Sequence, residues 1–310
     1  MRTAIIGIGG VGGFYGGKLS RYYERSPEHE VFFIARGTHL DTIRKEGLTL
    51  ITPSERFVTR PARATDRTEE LGSLDLVLVC VKEYGLDEAA RMLIPAIQET
   101  TVVIPLLNGV DNVERLGRLL PWGTLLNGCV YISSHLEGPG IVSQKGGSAK
   151  LFFGPEDTGG KAYGYIEDFL RNAGIDATLA APVTTEVWTK FIFIGPVAAV
   201  TALHRLTLGD LERSEEHRHL LEGMMREVEE IARAKAIALP SNIVQGSLQK
   251  VSAFPPGTKT SLLVDREQGR PLELETFVGY IVRAGQALGI ETPLHDTVYA
   301  AFTDPARAIL

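Results

Sequence analysis

Ala4-Ile5-Ile6-Gly7-Ile8-Gly9-Gly10-Val11-Gly12-Gly13-Phe14-Tyr15-Gly16-Gly17 stands almost at the start of a 310-residue chain, and the rest is best understood outward from it. Three apolar residues run into seven glycines within eleven positions, which reads as a buried strand, a tight turn and a helix. Within it, Gly7-Ile8-Gly9-Gly10-Val11-Gly12 fits the spacing GxGxxG in the strand-to-helix context that the motif requires. Gly7 permits the turn, Gly9 lets the backbone approach a pyrophosphate, and Gly12 lets the helix pack closely on the strand. The exposed N–H groups of Ile8, Gly10 and Val11 and the positive end of the helix then hold phosphate. Glu30-Val31-Phe32-Phe33-Ile34-Ala35 supplies a second buried strand, closing a βαβ unit that binds a dinucleotide.

The end of that second strand reads which dinucleotide. A carboxylate there would accept a ribose hydroxyl and repel a 2′-phosphate. This chain has Arg36-Gly37-Thr38, and a guanidinium offers a 2′-phosphate a bidentate charge-assisted pair, so NADP(H) is the expected cofactor. Lys82 follows Leu76-Val77-Leu78-Val79-Cys80-Val81, and Asn108-Gly109 follows Val102-Val103-Ile104-Pro105-Leu106-Leu107. Both polar groups sit at the carboxyl ends of parallel strands, the edge at which open α/β sheets bind ligands. Lys82 can meet cofactor oxygens, and Asn108 can donate and accept near a nicotinamide; an Asn-Gly turn is the structural alternative.

Composition narrows the class. The 33 glycines exceed the roughly 22 that average usage of about 7 % would give. The net charge of −6 divides evenly, with 19 basic against 22 acidic residues up to 182 and 13 against 16 beyond. No basic block supplies the footprint that nucleic acid needs, so none is expected as a partner. Cys80 and Cys129 lack metal or redox spacing and suit a reducing compartment. The apolar run Phe191 to Leu203 is well short of the roughly 20 residues of a membrane span, and no leader pattern opens the chain. A cytoplasmic protein that avoids membranes is expected. His217 and His219 do not share a helix face, and His135, His204 and His295 lack ligand-spaced companions, so no metal site is expected.

The periodicity predicts α/β architecture: a Rossmann-type dinucleotide-binding domain over 1–182 and an all-α domain over 183–310. Residues 124 to 154 read as short antiparallel additions to the sheet edge. Leu221, Met224, Met225, Val228, Ile231 and Ala232 form the stripe of one long helix, and Thr292-Pro293 reads as an N-cap followed by Pro at the first helical position. Long apolar helices make the second domain a candidate homodimer surface.

The ordered set of the GxGxxG turn, Arg36-Gly37, Val81-Lys82, Asn108-Gly109, Trp188-Thr189-Lys190, Thr260-Ser261-Leu262-Leu263-Val264-Asp265 and Gly269-Arg270-Pro271-Leu272-Glu273-Leu274-Glu275 resembles the ketopantoate reductase (2-dehydropantoate 2-reductase) family. The resemblance implies an oxidoreductase that reduces 2-dehydropantoate to pantoate with NADPH, in the synthesis of pantothenate and coenzyme A. By the same resemblance Lys190 is the proton donor, Glu273 the active-site glutamate and Ser261 a substrate-binding serine, and Asn108 is a further candidate for binding substrate. An ammonium beside the keto oxygen makes chemical sense, because hydride arriving at carbon develops alkoxide charge there. Many family members carry asparagines four and eight residues after the lysine; this chain has Ile194 and Ala198. Losing two amides points to a re-made site or to a different branched 2-keto acid. A non-catalytic NADP(H) sensor is the rival from another class, opposed by the joint retention of Lys190 and Glu273.

Overall fold

Eleven strands and five helices precede Thr184 in the computed structural model, which describes residues 1–304. The strands are β1 (Arg2–Ile6), β2 (Glu30–Ile34), β3 (Leu48–Ile51), β4 (Arg56–Thr59), β5 (Arg63–Thr65), β6 (Leu76–Val79), β7 (Val102–Pro105), β8 (Thr124–Leu125), β9 (Asn127–Gly138), β10 (Ile141–Gly154) and β11 (Ala177–Leu179). The helices are α1 (Gly10–Tyr23), α2 (Gly37–Glu46), α3 (Leu86–Leu93), α4 (Asn112–Leu119) and α5 (Gly164–Asn172). A parallel sheet runs β5-β2-β1-β6-β7-β8. Its strands alternate between two cores, as period-two geometry requires when both faces are covered. Ile5, Phe33, Leu78 and Ile104 join the core containing Phe14 and Leu19 of α1, whereas Ala4, Ile6, Val79 and Val103 join Leu86, Leu93 and Leu116 of α3 and α4.

One expectation is corrected here. Of residues 124 to 154, only β8 extends the first sheet, and it does so in parallel. The long hairpin of β9 and β10 belongs instead to a second sheet, ordered β11-β10-β3-β4, with β9 paired antiparallel to β10. The reason lies in α1. A Cβ on Gly16 would meet Phe33 and Ile5 of the first sheet, while one on Gly13 would meet Val142 of β10, and one on Gly17 would meet Leu50 of β3. The helix is therefore covered on two sides, and its glycines let both sheets close on it.

The second unit is helical: α6 (Thr184–His204), α7 (Leu208–Arg213), α8 (Glu215–Ala234), α9 (Ile243–Val251), α10 (Ser261–Glu267), α11 (Tyr280–Leu288) and α12 (Pro293–Thr303). By contact the chain divides into Met1–Leu107 with Asp111–Thr184, and Asn108–Val110 with the chain from Thr185 onward. Residues 305–310 of the expected second domain lie outside the described residues. The stripe on α8 is buried as its spacing requires. At α12, Thr292 occupies the N-cap position with Pro293 next, but its side chain makes no cap bond. The buried Glu227 carboxylate does so instead, accepting the Leu294 and His295 N–H groups at 2.8 and 3.0 Å and meeting His295 Nδ1 at 2.6 Å. The apolar run at 191–203 is part of a longer helix. At 21 residues α6 is long and apolar enough to cross a membrane, yet 72 % of its most apolar window is buried within the protein. Burial against the other helices accounts for that apolarity.

Candidate active site

The glycine turn takes its shape from what lies around each position. Gly7 has φ of 91°, and a Cβ on it would come within 2.8 Å of the Val81 nitrogen, so both conformation and space demand glycine. A Cβ on Gly12 would run into the Gly7 carbonyl. Gly9, by contrast, faces open space, with nothing within 4 Å of a built Cβ. It is the N-cap of α1 and offers no side-chain acceptor, which leaves the first-turn N–H groups to an external anion. Ile8 is buried beneath the turn. Gly10, read from sequence as part of the phosphate cradle, has a second reason to be glycine: the Ser134 carbonyl of β9 occupies the place of its Cβ.

Arg36 caps α2 at the end of β2. Its Nη1 pairs with Glu88 Oε1 of α3 at 2.8 Å, and its Nη2 lies 2.8 Å from Met92 Sδ. Beside the Arg36 guanidinium the Glu88 carboxyl is held below its ordinary range. Three residues further on, His39 accepts the Gly140 N–H through Nδ1 at 2.9 Å, tying α2 to the β9–β10 hairpin. Burial pushes this ring below the usual histidine value, against the pull of the Ile8 backbone. Neither Glu88 nor His39 was singled out by sequence, since each is defined by a partner far along the chain. Lys82 stands exposed past β6 as the N-cap of a short turn.

The helical unit holds Lys190, Asn108 and Glu273. Lys190, in the second turn of α6, is only 8 % exposed, and its Nζ donates to Asn108 Oδ1 at 2.8 Å. Burial and a fixed acceptor distinguish it from a lysine that snorkels to water. Asn108 enters the unit on a three-residue excursion, with Gly109 at φ of 106° supplying the left-handed turn. Glu273, 2 % exposed, lies two residues before a π-helical turn at Glu275–Gly279, and its carbonyl accepts the Phe277 N–H. That turn is held by Glu275, whose carboxylate takes both Tyr299 Oη and the Arg283 guanidinium. The Asp265 carboxylate accepts from Arg270 Nε at 2.7 Å.

Ser261 opens α10 and is exposed. The Thr260 hydroxyl before it lies 2.8 Å from Thr201 Oγ1 of α6, which fixes the start of α10 against that helix. Lys190, Ile194, Ala198 and Thr201 are spaced by four, four and three, so they follow one face of α6. Between the buried ammonium and the Ser261 end, this face is apolar. Among the described residues no group of His, Cys, Asp and Glu could hold a metal.

Comparison with known proteins shows the family. A family model described as "Ketopantoate reductase PanE/ApbA" matches residues 3–157, and its C-terminal companion matches 183–305. The chain belongs to the ketopantoate reductase family. It is 26 % identical to the 2-dehydropantoate 2-reductase of Mesorhizobium japonicum, across 97 % of this chain and 96 % of that one. It is 25 % identical to YkpB of Bacillus subtilis, described as an uncharacterized oxidoreductase, across 97 % of both. A crystal structure of a PanE/ApbA family ketopantoate reductase from Ralstonia eutropha superimposes with a TM-score of 0.88 at 30 % identity, covering 98 % of this chain and 97 % of the other. As a member of this family, the chain is an oxidoreductase that uses a nicotinamide dinucleotide to reduce a 2-keto acid.

Proposed function

We propose that the protein reduces 2-dehydropantoate to pantoate with NADPH, residues 1–182 holding the dinucleotide and the helical remainder the keto acid. The observation that carries this reading is the buried Lys190 ammonium donating to Asn108 Oδ1 at 2.8 Å. An ammonium held against an amide oxygen is positioned to donate to a substrate oxygen. The open N–H groups at Gly9 and the strand-end Arg36 suit a dinucleotide carrying a 2′-phosphate. When bound, NADPH supplies hydride from C4 of its nicotinamide to the keto carbon.

Lys190 then stabilises the charge growing on the keto oxygen and passes it a proton. Asn108 sets the direction of that ammonium, and Glu273 supplies the active-site carboxylate of this reading. Ser261 offers a hydroxyl to the substrate carboxylate. Ile194 and Ala198 favour a second reading, in which the substrate is another branched 2-keto acid with fewer polar groups.

Following NADPH absorbance with the purified protein tests these readings. Turnover with ketopantoate supports the first, turnover only with other 2-keto acids supports the second, and no turnover with any would leave a sensor. Lys190→Ala should lower turnover by about 10²–10⁴-fold, the usual range for a positioned proton donor. Full turnover in that variant would remove Lys190 from the mechanism.

A further inference from the structure

Arg36 carries the cofactor preference proposed above, and its side chain is already engaged within the protein. Both terminal guanidinium nitrogens have neighbours at 2.8 Å, Glu88 Oε1 on one and Met92 Sδ on the other. A 2′-phosphate takes a guanidinium best through two parallel N–H bonds, so it competes with Glu88 for the same donors. The two anions also repel one another across a short distance in water. A cofactor with a free 2′-hydroxyl has no such conflict and leaves the pair in place.

We propose that Glu88 is a specificity-determining residue, which occupies Arg36 in the free protein and so lowers the preference for a 2′-phosphorylated dinucleotide over a 2′-hydroxyl one. This rests on Arg36 being the phosphate ligand. The pair is a surface one, with side chains 54 % and 60 % exposed, so its effect is modest and sensitive to salt. Arg91 stands three residues on along the same helix and also lowers the Glu88 carboxyl, so removing the carboxylate frees positive charge from two sources.

The test is to measure dissociation constants of NADPH and NADH by fluorescence of the bound dihydronicotinamide, in low salt, for the full chain and for Glu88→Gln, Arg36→Gln and the double variant. Glu88→Gln should raise the NADPH-to-NADH affinity ratio by about three- to fivefold, the upper end of the range of an exposed ion pair. The same change made in Arg36→Gln should leave the ratio within twofold, which separates the pair from the general effect of one fewer negative charge. An unchanged or lower ratio in Glu88→Gln, while Arg36→Gln alone weakens NADPH, overturns the role of Glu88 and leaves the NADP(H) reading standing. If Arg36→Gln leaves NADPH binding intact, both fall together. Both residues are exposed, so thermal midpoints close to that of the parent chain verify that the variants fold.

Discussion

Lys190 shows how much environment a single residue needs before its chemistry can be read. In sequence it stands between Trp188 and Phe191 on an apolar helix, where most lysines would reach for solvent. In the structure it is buried, and its ammonium points at the amide oxygen of a residue 82 positions earlier. Asn108→Ala should therefore lower kcat by roughly ten- to a hundredfold, about 1.5–3 kcal/mol for one lost hydrogen bond to a charged group, while NADPH affinity stays constant. A loss confined to KM would instead make Asn108 a substrate ligand alone. The candidate residues Lys190, Glu273, Ser261 and Asn108 were legible because their residue types and spacing match a family. The partners of Arg36 and His39 were not, because an ion pair over 52 positions and a hydrogen bond over 101 leave no local pattern.

At the scale of the element, α1 separates two jobs that one run of glycines performs. Gly9→Ala adds a methyl where nothing lies within 4 Å, so stability should hold while dinucleotide binding falls. Gly13→Ala places a Cβ 2.5 Å from Val142 Cγ2, and a β-branched neighbour with a fixed χ1 cannot swing away. Overpacking costs about 1–3 kcal/mol against about 1 kcal/mol gained in helix propensity, so that variant should be up to about 2 kcal/mol less stable. Chemical denaturation and cofactor titration of both variants check this, and equal loss of stability in the two would undo the distinction. The βαβ unit and the α8 stripe were readable from periodicity. The second sheet was not, because β3 and β4 are only four residues each and β3 pairs with β10 some ninety positions away. Glu227 capping α12 was hidden for the same reason.

For the whole molecule, two histidines, one in each unit, give stability a pH window. Burial lowers the pKa of His39 and of His204, the latter also through His217 beside it. A ring whose folded value lies below the ordinary 6.5 binds fewer protons when folded than when unfolded. Its contribution is complete above that value and is lost as pH falls through it, separately from carboxylates that titrate lower. Urea midpoints should thus decline between pH 7.5 and 5.5, and His39→Asn with His204→Asn should flatten the decline; an unchanged slope would assign it elsewhere. The two-sided cover of α1 has a consequence for how such a molecule changes its habits. A helix that meets sheets with glycine on both sides can offer a ligand only main-chain N–H groups, which are the same whatever the nucleotide. Choice among cofactors cannot be altered there without dislodging a sheet, and is left to exposed side chains such as Arg36 and Glu88, where sequence is free to vary.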